Sequence, residues 1–148
     1  MRILCDVNIL VRANEQSDGS ARRLLLMILA KKHVLFVSRE ILVEMARVLR
    51  YPRLRALFGL TDEQIYNYVQ FLKDVGTVVE SDDTLNVPIR DPKDAMVLQA
   101  AVSGEADVIC TLDRDFYTAE TRGFCATFGI DICDDVELAK RLQRGDLS

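Results

Sequence analysis

Short runs of consecutive apolar residues alternate along this chain with longer segments in which apolar residues recur every three or four positions. The short runs are typical of strands covered on both faces, and the longer segments are typical of helices with one buried side. The predicted strands are Arg2–Cys5, Val34–Val37, Thr77–Glu80, Val108–Thr111 and Phe128–Ile132. The segment Ser81–Arg90 is predicted to be a loop, in which Val87–Ile89 is a candidate for brief strand pairing.

The helix boundaries are marked by residues that favour them. Ser38 and Thr61 suit N-cap positions, Asp18 or Ser20 can cap the first helix, and Pro52 interrupts a helix. The predicted helices are Ser20–Lys32, Arg39–Arg50, Arg53–Phe58, Asp62–Asp74, Pro92–Ser103 and Asp135 to about Gln143. Strands that alternate with helices predict an α/β domain with a mainly parallel sheet, and 148 residues suit a single domain, 1–148.

Five acidic residues fall next to predicted strands or in helices adjoining them. Asp6 directly follows the first strand, and Asp113 and Asp115 follow the fourth. Glu44 lies in the helix after the second strand, and Asp94 lies in the first turn of the helix before the fourth. Ligands of open parallel sheets bind at the carboxyl ends of the strands, so we expect these acids to meet at one edge of the sheet.

Clustered carboxylates raise one another's pKa values, and a divalent cation relieves that repulsion. Mg²⁺ and Mn²⁺ prefer oxygen ligands and support phosphoryl chemistry. Zinc chemistry is not expected, because His33 is the only histidine and the four cysteines have no C-x-x-C spacing. The cysteines are expected to be buried, reduced thiols.

Each acid also has a purely structural interpretation. Asp6 can cap the turn after its strand, and Glu44 can form a salt bridge with Arg47 three residues later. Asp91 reads as the N-cap of a helix with proline at its first position, and Asp94 is divided between the helix dipole and a functional role. Together, at one edge, the acids favour function.

Charge adds little to this picture. A net charge of −4 argues against a passive nucleic-acid coat. The basic residues concentrate in two stretches, 22–32 and 47–55, where a solvated helix face is about as well supported as a phosphate-binding rim. No secretory signal is recognised, the apolar run Leu24–Ala30 is too short to span a bilayer, and a cytoplasmic protein with no membrane partner is expected.

Four segments together resemble the PIN domain family. Ile3–Leu10 is similar to its opening strand, which ends in Asp-x-Asn, and Val37–Glu44 is similar to its second strand, serine cap and helix glutamate. Arg90–Phe116 resembles its later aspartate, alanine-rich helix and Thr-x-Asp-x-Asp strand end. Arg47–Leu54 looks like the VapC-like branch, which comprises toxin components of toxin–antitoxin systems.

This resemblance implies a PIN-like fold, with a central parallel five-stranded sheet sandwiched by helices. It implies Mg²⁺ or Mn²⁺ in an acidic pocket, RNA hydrolysis that leaves a 5′-phosphate and a 3′-hydroxyl, a homodimer and a cognate antitoxin protein. The residues that match the four family acids, as catalytic groups and metal ligands, are Asp6, Glu44, Asp94 and Asp113.

The resemblance also suggests supporting residues. Asp115 matches an accessory acid, and Asn8 and Thr111 match polar supports. Val7 stands where many members carry threonine, so a hydroxyl that those members have near Asp6 is in doubt here. Leu112 stands where glycine is common in this branch, so the width of the pocket is also in doubt.

The expected function is that of a metal-dependent endoribonuclease, a hydrolase that acts as the toxin of such a pair. The arginines expected to hold the RNA backbone are Arg12, Arg47, Arg50 and Arg53. Two functional alternatives remain: a Mg-dependent phosphotransfer domain using an aspartyl phosphate at Asp6 with Lys93, and a catalytically silent RNA- or protein-binding module. A structural domain in which every acid is a helix cap is a third.

Overall fold

The computed structural model describes residues 1–145 of the chain. Its centre is a five-stranded, all-parallel sheet with the strand order β3-β2-β1-β4-β5, flanked by helices. The strands are β1 Arg2–Cys5, β2 Val34–Ser38, β3 Thr77–Val79, β4 Val108–Cys110 and β5 Asp131–Cys133. The predicted α/β class and parallel sheet are therefore confirmed.

Eight α-helices and one short 3-10 helix, Arg114–Tyr117, are present within the described part of the chain. The α-helices are α1 Val7–Arg12, α2 Ser20–Ala30, α3 Arg39–Leu49, α4 Pro52–Phe58, α5 Asp62–Val75, α6 Pro92–Ser103, α7 Ala119–Thr127 and α8 Asp135–Arg144. Helix α2 packs against α8, and α1 packs against α3. None of the helices in residues 1–145 has the length and apolar character needed to cross a membrane.

Helix starts follow the predicted chemistry at several positions. The Ser38 hydroxyl accepts a hydrogen bond from the Ile41 N–H at 3.1 Å, and so caps α3. Thr61 and Gln64 form a reciprocal capping box at the start of α5. Each cap fixes the point at which the chain leaves a loop and begins to hydrogen-bond along a helix.

Three elements were missed by the hydrophobic pattern, because each is short or weakly periodic. Helix α1 begins directly after Asp6 and has only six residues, too few to show a helical period of apolar positions. The 3-10 helix and α7 occupy the segment between β4 and β5, to which the hydrophobic pattern assigns no element. The feature common to all three is an N-cap whose side chain accepts a backbone N–H, at Asp6, Asp113 and Thr118.

Two strand predictions are corrected. The last strand is Asp131–Cys133 and not Phe128–Ile132, because Phe128 ends α7 and Gly129 follows with a φ of 71°. That left-handed conformation is easily adopted by glycine and turns the chain into β5. Val87–Ile89 forms no strand and stays within the loop.

The register of the sheet places the ends of its central strands side by side. Cys5 of β1 is paired with Cys110 of β4, which is paired with Cys133 of β5. All four cysteines are buried and free, as expected. Since Asp6 and Thr111 are the next residues after Cys5 and Cys110, they lie together at the carboxyl edge of the sheet.

Candidate active site

Asp6 is a buried acid at this edge, with 5% of its surface exposed. Its Oδ1 accepts a hydrogen bond from the Val7 N–H at 2.7 Å, and its Oδ2 accepts one from the Thr111 hydroxyl at 2.7 Å. Burial raises the pKa of Asp6, the bonds from Thr111 and Val7 oppose that rise, and nearby Asp113 adds to it. The carboxylate is therefore held rigidly, in an environment that favours a cation nearby.

Thr111 joins the two central strand ends into one polar network. Its hydroxyl, which donates to Asp6, also accepts a hydrogen bond from the Asp113 N–H at 3.0 Å. The Asp113 side chain in turn accepts from the Asp115 N–H at 2.9 Å and caps the 3-10 helix. Val7 contributes only its backbone N–H to Asp6, and the one hydroxyl that bonds to Asp6 among the described residues is that of Thr111, which is itself fully buried.

Asp94, Asp113 and Asp115 form a group that we call the aspartate wall. Each offers a carboxylate oxygen, and these oxygens all lie within 4.8 Å of one another. Within residues 1–145, no lysine or arginine side chain forms a salt bridge with any of the three. Burial raises the pKa of Asp94 to about 7, and the charges of Asp113, Asp6, Asp91 and Asp115 add to the rise.

Glu44, in the second turn of α3, has two cationic side chains beside it. We call the group of Glu44, Arg47 and Lys93 the Glu44 clamp. Its two oxygens accept from the guanidinium of Arg47 at 3.0 and 2.5 Å, which is the salt bridge expected from the spacing. The Lys93 ammonium lies 3.4 Å from the same carboxylate, whose side chain is 15% exposed. The hydrogen bond from Arg47 lowers the pKa of Glu44, and Lys93 lowers it further, against the effect of burial.

An open cleft of about 590 Å³ brings these groups together. Its lining includes all five acids proposed from the sequence, Asp6, Glu44, Asp94, Asp113 and Asp115, together with Asn8. Leu112 also lines the cleft and is 44% exposed, and the five acids line the cleft together with it.

The four arginines proposed to hold RNA are divided by the structure. Arg12 and Arg53 line the cleft. Arg47 is engaged with Glu44 in the clamp. Arg50 does not line the cleft, because its guanidinium bonds to Asp62 at 3.2 Å and to the Ala46 carbonyl at 3.1 Å.

Three further residues of the cleft that carry a polar group are not among those proposed for this site. Lys93 was considered only for the phosphotransfer alternative, and Asp91 only as a helix cap, which it is: it accepts from the Lys93 N–H at 2.9 Å. Tyr51 lines the cleft at the junction of α3 and α4. The signal available for Asp91 and Lys93 is sequence proximity, since both precede Asp94 at the start of α6.

The aspartate wall fits a hard divalent cation. Its donors are carboxylate oxygens alone, they converge, and its described neighbours offer it no cationic partner. Mg²⁺ and Mn²⁺ prefer such oxygens, whereas zinc and copper sites draw on histidine and cysteine. Asp6 lies against this group from the β1 side, where its charge acts on Asp94.

Comparison with known families gives one match. The family model described as "PIN domain" matches residues 2–115, which extend from β1 through Asp115 and include every acid of the cleft. A search of curated proteins found no match.

Proposed function

The chain belongs to the PIN domain family, and from this premise we propose that it is a metal-dependent endoribonuclease that hydrolyses RNA phosphodiesters. PIN domains are in general nucleases that use divalent metal ions. The observation that carries the proposal is the aspartate wall, in which three carboxylates converge without a basic partner among the described residues. Such a site is suited to a cation and, beside it, a phosphate.

Asp94 and Asp113, with Asp6 and Asp115 near them, would hold Mg²⁺ or Mn²⁺, either directly or through water. The bound ion would supply Lewis-acid stabilisation of charge on the phosphate and a more acidic water. Thr111 fixes Asp6 and the Asp113 backbone at once, so the oxygens are positioned before substrate arrives.

Glu44 is suited to orienting a water molecule by accepting its hydrogen bond. Its lowered pKa keeps it ionised at neutral pH but makes it a weak proton acceptor, so positioning fits it better than deprotonation. Arg12, Arg53 and Lys93 line the same cleft and would contact the phosphates of the RNA strand.

Two observations weigh against the phosphotransfer alternative. Both carboxylate oxygens of Asp6 already accept hydrogen bonds within the protein, which weakens that carboxylate as a nucleophile. Lys93, which such a mechanism would use beside Asp6, bonds to Glu44 instead. The silent binding module has no specific observation in its favour.

We extend the proposal to the biological setting that the sequence resemblance implies. In this setting the protein is the toxin of a toxin–antitoxin pair, forms a homodimer in the cytoplasm and is blocked by a cognate antitoxin protein. The support is the Arg47–Leu54 segment, which resembles the toxin branch. Co-expression with the neighbouring gene product, followed by a cleavage assay of the purified complex, tests this extension separately from the nuclease activity.

The central experiment is cleavage of a mixed set of labelled single-stranded RNAs by the purified protein with Mg²⁺, Mn²⁺ or EDTA. We expect cleavage that requires metal, ends in 5′-phosphates and is abolished by Asp6→Asn. Asp74→Asn is the matched control, because Asp74 is an exposed aspartate on α5 outside the cleft. Cleavage by a folded Asp6→Asn protein, or cleavage in EDTA, would contradict the proposal.

A further inference from the structure

Tyr51 is placed in the cleft by the break between α3 and α4. Because Pro52 follows it, Tyr51 is kept out of the helical conformation, and its φ and ψ are −60° and 139°. The Tyr51 N–H still donates to the Val48 carbonyl, and the Tyr51 carbonyl accepts from the N–H groups of Leu54 and Arg55. The backbone of this elbow is therefore fixed by hydrogen bonds that do not involve the ring.

The Tyr51 side chain contributes nothing to the start of α4. It occupies the N-cap position but makes no capping hydrogen bond. By contrast, Ser38 and Thr61 cap the helices on either side of α4 with their hydroxyl groups. Serine, asparagine or aspartate would stabilise this helix start better than tyrosine does. Helix capping therefore does not account for an aromatic residue at this position.

The ring is exposed to the cleft and held at its edge. Tyr51 as a residue is 39% exposed, and within residues 1–145 its ring is the only aromatic group that lines the cleft. The guanidinium carbon of Arg47 lies 5.4 Å from the ring centroid, while the same guanidinium bonds to Glu44. The ring is thereby connected, through Arg47, to the Glu44 clamp.

Two aliphatic side chains accompany the ring in the cleft, whereas the aspartate wall is made of carboxylates. Val48 and Leu54 line the cleft beside Tyr51 and are half-buried. A phosphate gains nothing from such a surface, whereas every nucleobase has a flat face that stacks on aromatic and aliphatic groups. Arg12 and Arg53, which line the same cleft, are suited to the phosphates on either side of a stacked base.

We propose that Tyr51, with Val48 and Leu54, forms a subsite that binds one unpaired nucleobase of the substrate next to the phosphate at the aspartate wall. This subsite rests on the proposed ribonuclease function, since it assigns the base while the aspartate wall takes the phosphate. Stacking on one aromatic ring is tolerant of base identity, so the subsite adds affinity for an unpaired base more than it selects a sequence.

The test replaces Tyr51 by asparagine, which separates binding from stability. Asparagine is a good N-cap, so Tyr51→Asn should keep or raise the melting temperature. We expect its KM for single-stranded RNA to rise roughly 5- to 160-fold, the range for loss of one stacked base, while kcat stays the same. Tyr51→Phe keeps the ring and should therefore show a smaller rise in KM than Tyr51→Asn. Tyr66→Asn is the matched control, because Tyr66 is 60% exposed on α5 and does not line this cleft.

A second measurement locates the base. In the RNA of the set that is cut best, single abasic positions are introduced one at a time. One position near the cut should raise KM for the unsubstituted protein and have no further effect in Tyr51→Asn. Unchanged KM in Tyr51→Asn, with RNA still cut, overturns the subsite alone. Failure of the unsubstituted protein to bind or cut any RNA overturns the ribonuclease proposal and the subsite together.

Discussion

The two sides of the cleft treat their carboxylates in opposite ways. On the aspartate wall, Asp94 is partly buried and has four negatively charged neighbours, and these effects together raise its pKa to about 7. In the Glu44 clamp, the carboxylate has Arg47 and Lys93, and its pKa falls. Asp94 and Glu44 line the same cleft, but their pKa values shift in opposite directions. Among the described residues, Glu44 has two cationic partners and Asp94 has none.

This difference separates the roles of the acids more sharply than their shared location does. A protein that needed only stability would pair or neutralise the aspartate wall as it does Glu44, because unpaired carboxylates at close range repel. The repulsion persists where an external cation can relieve it. We therefore assign metal binding chiefly to the aspartate wall and assign Glu44 to the positioning of water or substrate.

The largest expected effect concerns metal affinity. Asp94→Asn removes an oxygen donor with no cationic partner and should weaken Mn²⁺ binding by about 100-fold or more, on the scale seen when even the supports of metal ligands are removed. Glu44→Gln should change the affinity less than tenfold, since Glu44 is already satisfied by Arg47. Calorimetric titration with Mn²⁺ measures both. Equal losses of Mn²⁺ affinity in the two variants would indicate that Glu44 is also a metal ligand. They would contradict the distinction between the aspartate wall and the Glu44 clamp.

Sequence reasoning predicted the acids of this comparison but not their surroundings. Asp6 and Asp113 follow strands, and the geometry of parallel sheets brings strand ends together whatever their side chains are. The Glu44–Arg47 bond is also local, because residues three apart on a helix are neighbours. These features need only the order of elements along the chain.

The remaining features depend on distances that no local pattern encodes. Lys93 reaches Glu44 only because α6 passes beside α3, and Tyr51 faces the cleft only because the elbow before Pro52 turns it there. The α1 helix was missed because Asp6 is at once the end of a strand, a helix cap and a buried acid. One residue that serves three purposes leaves no separate signal for each.

The second prediction concerns the free energy of unfolding of the metal-free protein. Neutralising an acid of the aspartate wall and neutralising Glu44 should change this free energy in opposite directions at pH 8. A carboxyl with a raised pKa stabilises the fold below its ordinary pKa, and that contribution is lost as the pH rises through about 7. The free energy of unfolding that Asp94→Asn gains over the unsubstituted protein should therefore be larger at pH 8 than at pH 5, by about 1 kcal/mol. This value is small because the side chain is partly exposed. Denaturant unfolding in EDTA at both pH values measures it.

Glu44 provides the opposite arm of that measurement. Its pKa is lowered, so its contribution is present above the ordinary value of 4.5 and is lost as the pH falls through the lowered value. Glu44→Gln should destabilise the protein by less than about 1 kcal/mol at pH 6–8, and the loss should shrink in acid. If both variants shifted stability in the same direction at pH 8, the opposite electrostatic surroundings would be refuted.

The smallest effect is expected for Lys93→Met, which keeps most of the side-chain length and removes the charge. Lys93 is 58% exposed and lies 3.4 Å from Glu44, so the bond should be worth less than about 0.5 kcal/mol of folding stability.

The position of Lys93 is more informative than the energy of its bond to Glu44. Lys93 directly precedes Asp94 in α6, so it is the cation of the Glu44 clamp nearest in sequence to the aspartate wall. If Lys93 contacts substrate phosphate, Lys93→Met should raise KM for RNA and reduce its salt dependence while the melting temperature stays constant. A changed melting temperature with unchanged KM would instead confine Lys93 to holding Glu44, leaving Arg12 and Arg53 as the cations available to the RNA backbone.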